Sequence, residues 1–189
     1  MTIPGEKKLT VDEFFEAISA GDERYELIEG VAHVMARAKQ GHNVIRSNVL
    51  AAFVPAGKQR GCRATSVNTA VQTGPDTIRY PDVVVDCGPL NALAMTASKP
   101  VIVVEVFAPG TTPVFDYSAK LQEYRSVESV DTVIQILAER VLVKVHRRQQ
   151  DGTWTEEKVD EFDVDIPLSS LATSITLNEI YDTLNVRQA

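Results

Sequence analysis

Glu105 interrupts "KPVIVVEVFAPG", with Val101, Ile102, Val103 and Val104 before it and Val106 and Phe107 after it. A continuous β-branched run of this kind belongs to a strand covered on both faces. A bare carboxylate there costs several kcal/mol (roughly 2 or more), so it requires a cation, a proton or strong donors. Asp82 poses the same problem at the head of "PDVVVD", where Pro81 suits the entry to a strand and three valines follow. Two strands that each carry an inward acid can bring the carboxylates together, and two such charges repel unless a hard cation lies between them. The next helical pattern supplies a third group. With Asp116 as its N-cap and Tyr117, Leu121 and Tyr124 as its buried stripe, Lys120 falls within about 40° of Tyr124 at ~100° per residue. Its ammonium can therefore reach inward. Two acids and a lysine beside a divalent ion are equipment for phosphodiester hydrolysis: the ion polarises phosphate and acidifies water, and the lysine orients that water or stabilises developing charge.

The elements that must position these residues can be read from pattern. "LTVDEFFEAISAG" opens with Thr10 and Glu13 at capping-box spacing, has Leu9 and Phe14 as a hydrophobic staple, and stops at Gly21. "RYELIEGVAHVMA" alternates around Gly30 as a hairpin or bent strand, and "GHNVIRSNVLAAFVPAG" has helical spacing. Strand-like runs follow in "TSVNTAVQT", "IRYPDVVVDCG" and "PVIVVEVFAPG", then a helix from about 116 to 127. "DTVIQILAE", "RVLVKVHRR" and "GTWTEEKV" form a strand meander with an Asp151-Gly152 turn, and a terminal helix follows Thr176, with Glu179 completing its capping box. With no repeat or linker, the expectation is a single α/β (α+β) domain over 1–189, its mostly β centre flanked by helices.

Composition limits the function classes. With 44% hydrophobic and 24% charged residues the chain is globular, and neither a signal peptide nor a bilayer-spanning run is evident, which points to the cytoplasm. Cys62 and Cys87 have no metal-ligand spacing and are expected to be buried thiols rather than a disulfide or zinc site. Net charge is -7, yet the stretch from Gly30 to Pro75 lacks Asp and Glu. Arg37, Lys39, Arg46, Lys58, Arg60 and Arg63 make it +6 and leave -13 for the rest. Such a segment can present a phosphate-binding face in an acidic protein, or can be a solvated surface.

"RYELIEG", "YPDVVV", "VIVVEVFAPGTT" and "DYSAKLQEYRS", in that order, resemble the Uma-two family of restriction endonuclease-like proteins, common in bacteria and part of the PD-(D/E)XK nuclease superfamily. The likeness runs from Leu9 to about Leu184. It implies a mixed central sheet with flanking helices and places the acidic pair on Asp82 and Glu105. The superfamily's usual lysine, two residues after the second acid, is replaced here by Phe107. The resemblance implies that the lysine has moved to the following helix as Lys120. It also brings Glu26 toward the site and makes His42 a weaker candidate. "VIQIL" stands where relatives carry an aromatic pair, so Gln135 has no assigned role.

The leading expectation is a Mg²⁺- or Mn²⁺-dependent DNA endonuclease with Asp82, Glu105 and the Val106 carbonyl as metal ligands, Lys120 beside the attacking water and Glu26 nearby. The hard oxygen donors fit Mg²⁺. Cutting both strands of a duplex favours a homodimer. Two alternatives stand beside it: an inactive nuclease-fold module for binding or assembly, and a metal-free hydrolase using two carboxylates. An aromatic content of 6% disfavours the sugar-cleaving form of the last.

Overall fold

The computed structural model describes residues 8–19, 21, 23–107 and 114–188. Helix α1 (Val11–Ile18) is closed by the reciprocal Thr10–Glu13 capping box, and Leu9 and Phe14 join one apolar cluster as its staple. Strands β1 (Tyr25–Ile28) and β2 (Val31–Val34) form an antiparallel hairpin. Its two turn residues, Glu29 and Gly30, have φ of 48° and 82°, the left-handed pair that a tight hairpin of this kind requires. Helix α2 (Gln40–Gln59) follows, then β3 (Arg63–Ser66), β4 (Val71–Gly74), β5 (Thr77–Arg79), β6 (Val83–Asp86) and β7 (Pro100–Phe107). Helix α3 (Val114–Ser126) leads to β8 (Thr132–Leu137), β9 (Arg140–Val141), β10 (Val143–Arg148) and β11 (Trp154–Val159). The chain ends in β12 (Asp165–Leu168), β13 (Thr173–Thr176), α4 (Leu177–Ile180) and β14 (Arg187–Gln188).

The central sheet has six strands in the order β11-β10-β8-β7-β6-β3, and a smaller one has four in the order β2-β1-β5-β4. β7 and β8 are parallel and joined through α3, while the other neighbours in the central sheet run antiparallel, so the sheet is mixed. Every residue of β7 is buried because both its faces are covered. Ile102, Val104 and Val106 share a core with Ile45, Val49 and Phe53 of α2. Val103 shares another with Leu121 and Tyr124 of α3. The pleat therefore assigns Glu105, in step with Val103, to the α3 face. Among the described residues, no helix is long and apolar enough to cross a membrane.

Two expectations need correction. Helix α3 begins at Val114, so Asp116 lies inside its first turn rather than at the N-cap. The terminal helix does follow Thr176, as a single turn of 4 residues with its Thr176–Glu179 capping box formed. Cys62 and Cys87 are not thiols; they form a disulfide. β3 pairs with β6 in the register Arg63↔Asp86, which sets Cys62 and Cys87 opposite each other one step further on. Two strands of the other sheet lie between them in sequence, so spacing alone could not reveal the pairing.

Candidate active site

The register that packs the valines also brings the two acids together. β6 and β7 pair as Val83↔Val104, so Asp82, one residue before β6, falls opposite Glu105. Asp82 Oδ2 accepts the Val106 backbone N–H at 2.8 Å and faces His42 Nε2, from the first turn of α2, at 3.1 Å. Glu105 Oε1 accepts the Tyr124 hydroxyl at 2.6 Å, with Lys120 Nζ at 3.7 Å. Among the described residues nothing donates to Asp82 Oδ1 or Glu105 Oε2, so each acid is tied by one oxygen and open at the other. Burial pushes Glu105 up to about 7, against the pull of Lys120, and the charges of Asp82 and Glu26 add to the rise.

Lys120 and Tyr124 stand one turn apart on α3 and both turn inward, buried. Lys120 donates to Glu26 Oε1 at 2.9 Å, closer than its approach to Glu105. Glu26 reaches this point from β1 because Leu27↔Ile78 pairing lays β1 against β5. It also accepts from Arg79 Nη1 at 2.9 Å and from the Tyr80 backbone N–H at 3.2 Å. Burial would raise the Glu26 carboxyl, but Lys120 and Arg79 outweigh it and hold the group below its ordinary range. The Arg79 guanidinium continues to Glu123 of α3 through bonds of 2.6 and 2.7 Å, a bidentate fork. The ionic chain thus runs from the small sheet through α3 to the central sheet.

The buried members Glu26, Glu105 and Lys120 line a cavity of about 440 Å³ together with Asp82, His42 and Val106. The exposed side chains of Arg24, Arg37 and Lys39 line it on the solvent side. His42 Nδ1 is buried with no partner among the described residues. Gln135 sits beside Glu105 in the parallel register and is fully covered, but its amide oxygen turns to His146 Nε2 at 2.9 Å instead of to the cavity. Arg125 meets the other ring nitrogen of His146 at 2.9 Å, so the imidazole donates to Gln135 and accepts from Arg125. Burial and the Arg125 charge hold His146 down at about 4.

The positive segment does not form one face. Arg37 and Lys39 reach the cavity, and Arg63 pairs with Asp86 at 3.1 Å. Lys58 lies at the far end of α2, roughly 24 Å along the axis from His42. Glu123 and the Tyr124 hydroxyl are the parts of the site that pattern reading passed over. Lys120, Glu123 and Tyr124 at i, i+3 and i+4 did mark one helix face, and Arg79 stands directly before "YPD".

As for metal, among the described residues no three His, Cys, Asp or Glu side chains gather as a ready-made cage. Two carboxylates with open oxygens and a neighbouring carbonyl nonetheless suit Mg²⁺, which binds through one or two carboxylates and keeps several waters.

Residues 11–179 match a family model, Uma2, described as "Putative restriction endonuclease". No curated protein matches the chain. Among solved structures, it is similar to a chain from Anabaena variabilis ATCC 29413 described as "a putative nuclease belonging to DUF820". That likeness has a TM-score of 0.73 at 22% identity and covers 92% of this chain and 97% of the other.

Proposed function

The chain belongs to the Uma2 (Uma-two) family, and on that premise we propose that it is a divalent-cation-dependent phosphodiesterase that cleaves DNA. One observation carries this reading: Asp82 and Glu105 stand opposite each other in the cavity that also holds Lys120, each with one oxygen tied down and, among the described residues, one left open. Open hard oxygens at this point, with the Val106 carbonyl as a third donor, would hold Mg²⁺ or Mn²⁺. The bound ion would supply Lewis acidity toward a phosphate oxygen and a more acidic water.

The chain's own groups do the rest. His42 and the Val106 N–H orient Asp82. Glu26, itself anchored by Arg79, holds the Lys120 ammonium in place, where it stabilises the negative charge that develops as water attacks phosphorus and the P–O bond breaks. Arg24 and Arg37 on the solvent side hold flanking phosphates. Two copies of the chain would serve the two strands of a duplex.

The test is a cleavage assay on duplex, branched and single-stranded DNA with Mg²⁺, with Mn²⁺ and with chelator, using the wild type and Glu105→Gln. Cleavage that needs the ion and is lost in the variant is expected. Binding without cleavage of every DNA form would assign the fold to a non-catalytic binding role.

A further inference from the structure

Tyr124 is wholly buried and belongs to the cluster of Leu121, Val103 and Val133 under α3, a position that a phenylalanine would fill equally well as core. The hydroxyl is what sets it apart. It donates to Glu105 Oε1 at 2.6 Å, on the same oxygen that Lys120 approaches, and leaves Oε2 without a described donor. We propose that Tyr124 is a positioning residue of the metal site, fixing Glu105 through Oε1 so that Oε2 is the donor atom presented to the cavity. The inference rests on the metal-dependent reading above.

The terminal torsion of a glutamate is broad and roughly two-fold, so an untethered carboxylate presents either oxygen over a wide range of angles. A hydrogen bond to an ionised acceptor is shorter and about twice as strong as a neutral one, and it removes that freedom. Groups that orient metal ligands in this way typically contribute about 10–100-fold in metal affinity. Tyr124 gains its reach from its place four residues after Lys120, one turn along a helix whose other inward groups are already fixed by Glu26 and Arg79.

Calorimetric titration with Mn²⁺ on the wild type, Tyr124→Phe, Glu105→Gln and Leu121→Ala tests this, alongside thermal melts of each protein. The expected result is about 10–100-fold weaker Mn²⁺ binding in Tyr124→Phe, no binding in Glu105→Gln and near-normal binding in Leu121→Ala. Leu121→Ala loosens the same helix packing without touching Glu105. It therefore separates orientation from general loss of packing, even if Tyr124→Phe melts early. Equal Mn²⁺ affinity in the wild type and Tyr124→Phe would overturn the Tyr124 assignment alone, as would an equal loss in Leu121→Ala. A wild type that binds no Mn²⁺ would overturn the metal reading itself.

Discussion

Glu105 shows why a costly residue is kept. Burial and two neighbouring carboxylates push it up to about 7, and Lys120 and the Tyr124 hydroxyl only partly offset them. An amide there keeps the shape and can accept the Tyr124 hydroxyl without the charge. Glu105→Gln and Asp82→Asn should therefore each abolish Mn²⁺ binding while the fold persists. Glu105→Gln should melt at or above the wild type at pH 8, by up to about 5 °C. Calorimetric titration and thermal melts check both variants; unchanged Mn²⁺ affinity in the pair would remove the site. Lys120 touches Glu26 more closely than Glu105, and under the proposed reading it would serve transition-state charge rather than ion binding. Lys120→Met keeps much of the apolar stem and should slow single-turnover DNA cleavage about 100–1000-fold, the worth of a transition-state charge contact. Binding measured in Ca²⁺ should change little. A wild-type rate would move the role to another cation.

At the scale of elements, the site depends on how α3 is fixed to two sheets. Arg79 links Glu26 of β1 to Glu123 of α3, and removing one member of such a buried network typically costs about 3–5 kcal/mol. Arg79→Met should lose that much in urea unfolding at constant m-value, and the loss should shrink when Glu123→Gln is added; a change under about 1 kcal/mol would show the network to be dispensable. On the other side of α3, His146 sits at about 4 in the folded chain against an ordinary 6.5, so the unfolded chain takes up its proton first. Stability is therefore full above pH 6.5 and falls as pH drops toward 4. Glu105, raised, acts in the opposite sense, so the expected observation is a difference: wild type should lose more stability than His146→Gln between pH 6.5 and 4, by denaturant midpoints. Equal slopes would refute it. Much of this scaffold was legible in the sequence, because caps, turns and β-branched runs act locally. Thr10 with Glu13, the turn at Gly30 and the continuous run in β7 all form as read. The register was not legible. Nothing local tells β3 to pair with β6, which is why the Cys62–Cys87 bond was missed, and nothing local gives Glu26 an arginine from β5. Asp82 and Glu105 could be picked out because each breaks an apolar run, and Lys120 because it edges the buried stripe of its helix and matches the family's motif. Glu123 and the Tyr124 hydroxyl could not, because their importance lies in whom they meet.

For the whole molecule, the net charge of -7 sets the problem of how an acidic chain would hold a polyanion. A basic segment of six cations looks sufficient in sequence, but the fold distributes it. Arg63 is paired with Asp86, Lys39 lies 3.4 Å from Glu139, and Lys58 and Arg60 stand exposed at the end of α2 away from the cavity. Near the acids stand Arg37 and the Glu139-paired Lys39, joined by Arg24 from just before β1, a residue outside the basic segment. If DNA enters this cavity, its phosphates must be met there, because charge more than a Debye length away, about 10 Å at 0.1 M salt, is largely screened. The salt dependence of binding counts such contacts, since each phosphate neutralised releases counterion and contributes roughly 0.7 to 0.9 to the slope of log affinity against log salt. Replacing Arg24 and Arg37 together by Gln should therefore flatten the slope by about 1.4 to 1.8, while Lys58→Gln with Arg60→Gln should leave it unchanged. Fluorescence anisotropy with labelled DNA in Ca²⁺, from 50 to 200 mM salt (a range of about that width resolves the difference), makes the comparison without cleavage. A larger change from the distal pair would place the nucleic acid along α2 and away from Asp82 and Glu105. The acids would then have to act on something other than the bound strand.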